Sequence, residues 1–253
     1  MPEFKVLGAT EVRCGPEDCT PTAAKVRQIL ALLLLRAGTV VPMDMIIEEL
    51  WGDDPPRSAV PTAQTYVYQL RRPGSGGHRH DWLATRPPGY RLVLTDSALD
   101  SALFEASVRR ARVALAAGRA AEAADLLERA QELWTGPALA DVAKGRHLDV
   151  YVFHLEELRL RALELGVQAG FALGRERELV AELRPLTARY PLNEWFHSRL
   201  IAALATCGRR GEALEAYRNL CGLLDRELGL EPSEEIERLQ ASILRDPPVL
   251  NGV

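Results

Sequence analysis

Three six-residue segments in the second half of the chain align without gaps: Gly118-Arg-Ala-Ala-Glu-Ala, Gly174-Arg-Glu-Arg-Glu-Leu and Gly208-Arg-Arg-Gly-Glu-Ala. Each follows an apolar run with helical periodicity and opens another. A glycine between two such runs supplies the positive φ of a tight helix–helix turn. A large apolar residue, Trp134, Tyr190 or Leu224, stands sixteen residues after each glycine. No strand pattern interrupts residues 98–245. A chain punctuated in this way buries its apolar faces by stacking helical hairpins, one against the next.

The glycines are 56 and 34 residues apart. The second spacing is the length of a tetratricopeptide repeat, so residues 98–253 are expected to form a tetratricopeptide-like all-α domain. Glu231-Pro-Ser-Glu starts a last helix with Leu239 and Ile243 on its inner face, and Asp246-Pro-Pro-Val is read as a frayed tail.

Residues 1–97 have a different pattern. Phe4-Lys-Val-Leu and Thr10-Glu-Val-Arg13 read as short strands about Gly8. A helix from Ala23 to Ala37, apolar over most of its circumference, is predicted to be central. A second runs from Met43 to Trp51, with Ile46, Ile47 and Leu50 inward. Gly52-Asp-Asp-Pro-Pro56 then forces a loop. A third is capped by Ser58 and ends at Arg72, before Pro73-Gly-Ser-Gly-Gly77. Trp82–Arg86 and Tyr90–Leu94, around Pro87-Pro-Gly89, predict a hairpin. Three helices and a hairpin is the order of a winged helix-turn-helix. The expected fold is mainly α, with small β-sheets confined to this N-terminal domain.

The net charge of −4 hides a local excess. Residues 57–91 carry Arg57, Arg71, Arg72, Arg79, Arg86 and Arg91 against Asp81 alone, a local +5. On the third helix, Ala59, Ala63, Val67 and Leu70 fall on one face. The remaining faces show Thr62, Gln64, Thr65, Tyr66, Tyr68, Gln69, Arg71 and Arg72, with no acid between Arg57 and His80. Such residues pair with base edges and phosphates in duplex DNA. Arg86 and Arg91 flank the hairpin turn, where a wing meets phosphate or the minor groove.

Other functions find little support. The chain has no phosphate-binding glycine loop, no GxSxG and no HExxH, so no enzymatic activity is expected. Cys14 and Cys19 with His78 and His80 fit no zinc spacing, and neither metal nor cofactor is expected. No run of about 20 apolar residues and no secretion signal is read, which places the protein in the cytoplasm, at the nucleoid.

Several segments together resemble the Streptomyces antibiotic regulatory protein family, an OmpR-type winged helix joined to a bacterial transcriptional activation domain. They are Leu32-Leu-Leu-Leu-Arg-Ala-Gly, Leu50-Trp-Gly-Asp-Asp-Pro-Pro, Gln64-Thr-Tyr-Val, Leu70-Arg-Arg, Thr85-Arg-Pro-Pro-Gly-Tyr-Arg-Leu and Glu227-Leu-Gly-Leu-Glu-Pro. The resemblance implies an activator of a secondary-metabolite (antibiotic) gene cluster. It implies binding to direct DNA repeats near promoters, with two protomers side by side, and recruitment of RNA polymerase holoenzyme with its principal sigma factor. By the same match, the helix to Arg72 enters the major groove. Trp51, Gly52, Asp53, Asp54, Pro55, Pro56 and Arg57 form the loop that meets polymerase or sigma. Lys25 and Arg27 occupy a basic position that holds phosphate. Pro61, Ala63, Tyr68 and Gln69 depart from the usual Asn, Leu, a smaller residue and Arg. No receiver or nucleotide-binding domain is read, so phosphorelay and ATP-driven control are not expected.

Two alternatives remain open at this level. The helical repeats could act as an interaction scaffold, the winged helix binding only protein. Or Trp134, Tyr151, Phe153, Tyr190 and Trp195 could line a groove for a metabolite.

Overall fold

The computed structural model describes residues 2–71, 82–94 and 99–245. The chain forms two compact units. One is Met1–Val113 with Asp125–Leu163, the other Ala114–Ala124 with Glu164–Val253.

The first unit opens with an antiparallel sheet of β1 (Pro2–Lys5), β2 (Glu11–Cys14) and β3 (Glu17–Asp18), in that order. Strand β3 forms because the turn at Gly15 (φ +67°) folds Glu17 back onto Cys14. Helices α1 (Ala24–Leu35), α2 (Met43–Trp51) and α3 (Ala59–Arg71) follow. The α1 run from Ile29 to Leu34 is wholly buried, as its apolar circumference requires. On α3 the buried residues are Ala59, Ala63, Val67 and Leu70, spaced to form one stripe.

Strands β5 (Leu83–Arg86) and β6 (Gly89–Leu92) form the expected hairpin. A third strand, β4 (Val40–Pro42), pairs with β6 and gives the order β4-β6-β5. Gly89 is demanded by this pairing, since a Cβ there would lie 1.9 Å from the Val41 carbonyl oxygen. The strand β4 was not foreseen: three residues ending in proline carry almost no periodic signal.

Parts of α4 (Asp100–Ala116), α5 (Ala120–Glu132) and α6 (Arg146–Ala172) complete the first unit. Trp134 is buried there, edge-on to Phe104 at 5.4 Å and beneath the Arg159 guanidinium at 4.3 Å. It is a packing residue in this setting.

The second unit contains α7 (Glu176–Arg189), α8 (Glu194–Thr206), α9 (Arg210–Leu228) and α10 (Glu234–Arg245). Helices α7, α8 and α9 pack in sequence, and α10 closes over α8 and α9. Across the chain the three repeated glycines have the same geometry. Gly118, Gly174 and Gly208 all have φ between +69° and +74°. After each, the next N–H returns five residues, Arg119 to Ala114, Arg175 to Gly170 and Arg209 to Leu204, at 2.9–3.0 Å. This is the Schellman closure, in which glycine supplies the left-handed residue. Among the described residues no helix is long and apolar enough to cross a membrane.

Candidate nucleic-acid interface

The outer face of α3 follows from its inner one. With every third or fourth residue committed to the core, Gln64 and Tyr68 form one exposed ridge, and Thr65 and Gln69 the next. Tyr68 is 67% exposed, a large aromatic held in water. Among the described residues the side chains of Gln64, Tyr68 and Gln69 make no hydrogen bond. Thr65 Oγ1 donates to the Pro61 carbonyl at 2.9 Å, and Thr62 Oγ1 lies 3.5 Å from Ser58 Oγ. Thr65 thus spends its hydroxyl proton within the helix. Tyr66 is half-buried and leans on the core.

The hairpin beside this helix is two-faced. Ala84 pairs with Arg91 and Arg86 with Gly89, so alternation puts Arg86 and Arg91 on the same face. Both are exposed. The opposite face carries Leu83, Thr85, Tyr90 and Leu92. There Arg71, from the last turn of α3, donates to Thr85 Oγ1 at 2.7 Å and lies 5.4 Å above the Tyr90 ring. Arg72 lies outside the described residues, as do His78 and His80.

Two cations expected at phosphate are held within the protein. Lys25 Nζ donates to the Leu50 carbonyl and to Gln28 Oε1. Arg27 donates to the carbonyls of Pro21 and Thr22 and pairs with Asp141 at 3.1 Å.

In the loop after α2, Trp51 is half-buried against the core, while Gly52, Asp53, Asp54, Pro55, Pro56 and Arg57 are exposed. Gly52, at φ +62°, reverses the chain. Asp53 and Asp54 have no ion pair among the described residues, so the loop presents two uncompensated carboxylates.

Three buried or half-buried carboxylates that sequence reasoning missed fix this region. Asp100 accepts from the backbone N–H groups of Val6, Leu7 and Ser101 at 2.7–3.0 Å. Burial pushes its carboxyl above the ordinary aspartate value, against the pull of those N–H groups. Asp141 accepts from Thr10 N at 2.7 Å. Glu49, only 2% exposed, accepts from the backbone of Gly145, His147 and Leu148. The available signal was Glu49's place one turn after Ile46, a carboxylate on the inward stripe.

Two family models cover most of the chain. Residues 18–92 match the model described as "Transcriptional regulatory protein, C terminal", and residues 99–244 match "Bacterial transcriptional activator domain". The chain is 38% identical to the regulatory protein DnrI of Streptomyces peucetius, over 97% of this chain and 93% of that protein. It is 34% identical to the transcriptional regulator RedD of Streptomyces coelicolor, over 98% of this chain and 72% of RedD. Among solved structures, Mycobacterium tuberculosis EmbR, in complex with a low-affinity phosphopeptide, superposes with a TM-score of 0.90. That match has 32% identity and covers 98% of this chain and 66% of EmbR.

Proposed function

The chain belongs to the Streptomyces antibiotic regulatory protein family of transcription activators, and from that premise we propose that it activates a secondary-metabolite gene cluster by binding direct repeats in promoter DNA and recruiting RNA polymerase. The observation that carries the reading is the outer face of α3: acid-free, exposed, and ending in unpartnered Gln64, Tyr68 and Gln69 beside a hairpin that presents Arg86 and Arg91 together. Glutamine amides suit adenine edges, the threonine methyls suit thymine, and the two arginines suit phosphate or a narrow minor groove. Arg71 sets the angle of the hairpin against the reading helix. The loop Trp51–Arg57, exposed from Gly52 onward, meets polymerase or its principal sigma factor through Asp53 and Asp54. In this reading residues 1–97 are the DNA-binding module and residues 98–253 the activation module. Two protomers lie side by side on the repeats, in the cytoplasm at the nucleoid.

A footprint on the DNA around the protein's own gene, with and without holoenzyme, tests this. Protection of two direct repeats beside a −35 region, strengthened by polymerase, supports it. Absence of protection at low salt, where phosphate contacts are strongest, overturns it and leaves the winged helix a protein-binding module.

A further inference from the structure

The backbone carbonyls at the end of α2 all find donors. A helix leaves its last four carbonyls without intrahelical partners. Here all four are taken. Glu48 O accepts from Gly52 N at 2.8 Å and Trp51 O from Asp54 N at 3.4 Å, both within the following loop. Glu49 O accepts from Gln28 Nε2 at 2.7 Å, and Leu50 O accepts from the Lys25 ammonium. Two side chains of α1 thus close the C-terminal turn of α2, one of them a cation at the negative end of the helix dipole.

The same turn is gripped from its other side. Glu49 sends its carboxylate to the start of α6. Oε1 accepts from Gly145 N and Oε2 from the N–H groups of His147 and Leu148, at 2.9 and 3.1 Å. These are N-terminal donors of α6 that the helix cannot satisfy itself. The capping carboxylate comes from 96 to 99 residues earlier in the chain. Gln28 Nε2 also reaches Glu49 Oε1 at 3.2 Å, so one amide bridges the carbonyl and the carboxylate of Glu49. Glu48 adds a bond to the His147 ring at 2.9 Å. Gly145 leaves no room for a side chain: a Cβ would lie 2.4 Å from Glu49 O and 2.8 Å from its Oε1.

The residue two after Glu49 is Trp51, where the acidic loop begins. We propose that Glu49 is a positioning residue for that loop, fixing it to the start of α6 so that the placement of Asp53 and Asp54 depends on the helical segment and not on the winged helix alone. The inference rests on the reading of the loop as the polymerase contact. Gln28 and Lys25 complete the grip from α1.

The test uses the full chain and the variant Glu49→Gln. The amide keeps the shape of the carboxylate. It removes the charge and turns an NH2 toward one of the backbone donors. Amide hydrogen exchange is measured at residues 51–54 and 145–148, beside DNA affinity across a salt series and holoenzyme-dependent transcription. The expected result is exchange accelerated about tenfold at both segments together. DNA affinity stays within about twofold, with the same salt dependence. Transcription falls about tenfold. Phe104→Leu, a core change elsewhere in the same unit, serves as a control for lost stability and should leave both the loop's exchange and transcription near wild type. Gln28→Met, which removes the bridging amide without adding charge, should move the same readouts less far and replaces Glu49→Gln if that variant does not fold.

Unchanged exchange at residues 51–54 overturns the inference, whatever transcription does. Loss of transcription no greater than in Phe104→Leu also overturns it. If the wild-type protein binds DNA but ignores holoenzyme, the polymerase reading of the loop fails. The exchange measurement still decides whether Glu49 holds the loop.

Discussion

Arg71 Nη2 donates to Thr85 Oγ1 at 2.7 Å, joining the last turn of the reading helix α3 to the first strand of the hairpin. The bond ties together two elements that, in the proposed reading, meet the same stretch of DNA. Thr85→Val, nearly isosteric, removes the acceptor. Part of the bond is exposed, so its loss should cost about 1 kcal/mol of binding free energy, or roughly fivefold in affinity, equally on all sequences. The salt dependence should not change, because no phosphate contact is lost. Arg71→Met should do the same. A flattening of the salt slope by about one in Arg71→Met, absent in Thr85→Val, would put the guanidinium on a phosphate instead.

The two exposed ridges of α3 and the outer face of the hairpin should separate by assay. Gln69→Ala or Gln64→Ala should relax discrimination at one base pair by about 1–3 kcal/mol and leave the salt slope alone. Arg86→Ala or Arg91→Ala should weaken every sequence alike and reduce the slope by about one each. Selection of bound sites from a random pool, repeated at two salt concentrations, reads both quantities. Identical site preferences for wild type and Gln69→Ala would remove Gln69 from the readout.

Asp100 should be among the costlier polar positions to lose. Its carboxylate takes three backbone N–H groups, from Val6, Leu7 and Ser101, and is 7% exposed. Asp100→Ala strands these donors where water has little access. At about 1 kcal/mol or more for each, the loss should be roughly 3 kcal/mol. For a chain of this size that lowers the melting midpoint by roughly 5–10 °C. A shift under about 2 °C in calorimetry would mean that water replaces the carboxylate there.

The parts legible in the sequence are those written as periodicity or as glycine. The stripe Ala59, Ala63, Val67 and Leu70 and the turns at Gly118, Gly174 and Gly208 follow from spacing and steric allowance alone. The local arginine excess pointed to α3 and the hairpin for the same reason: neighbours in sequence stay neighbours in space. What sequence could not give were bonds between distant segments. Asp100 reaches back 94 residues to Val6, and Glu49 forward 96 to Gly145. A lone acidic residue in an apolar stripe marks such a bond but does not name its partner. Lys25 and Arg27 show the converse. The family resemblance puts them at a phosphate-holding position, and only the tertiary fold brings the Leu50 carbonyl and Asp141 that they contact.

Gly145 offers a test of close packing that does not touch charge. Its φ is ordinary, so alanine is allowed by the backbone, but the added methyl would lie 2.4 Å from Glu49 O. Either α6 or the end of α2 must shift. Gly145→Ala should cost about 1–3 kcal/mol, as overpacking does elsewhere. In Gln28→Met the Glu49 carbonyl is already released from α1, and the same alanine should cost less. A double-mutant cycle by chemical denaturation measures the difference. Strict additivity would show that Gln28 and Gly145 do not act on one shared turn.

His197, on α8, is partly buried, and its ring lies 3.0 Å from the Pro191 carbonyl. Burial pushes its pKa below the ordinary value, and the Pro191 carbonyl and Glu194 only partly oppose that. The unfolded chain therefore takes up a proton at about pH 6.5, where the folded chain does not yet do so. Stability from this residue is complete above that pH and is lost as the pH falls toward the folded value. Two other groups in this fold, Asp18 and Glu212, are held below their ordinary carboxylate values and lose stability only in stronger acid. Asp100, shifted upward by burial, contributes in the opposite direction, gaining stability as the pH falls. Subtracting the His197→Gln profile from that of the wild type over about pH 7 to pH 5 should isolate His197. Wild type should lose more denaturation free energy across that interval than His197→Gln, which cannot titrate. Parallel profiles for the two proteins would show that water reaches the ring and leaves its proton affinity ordinary.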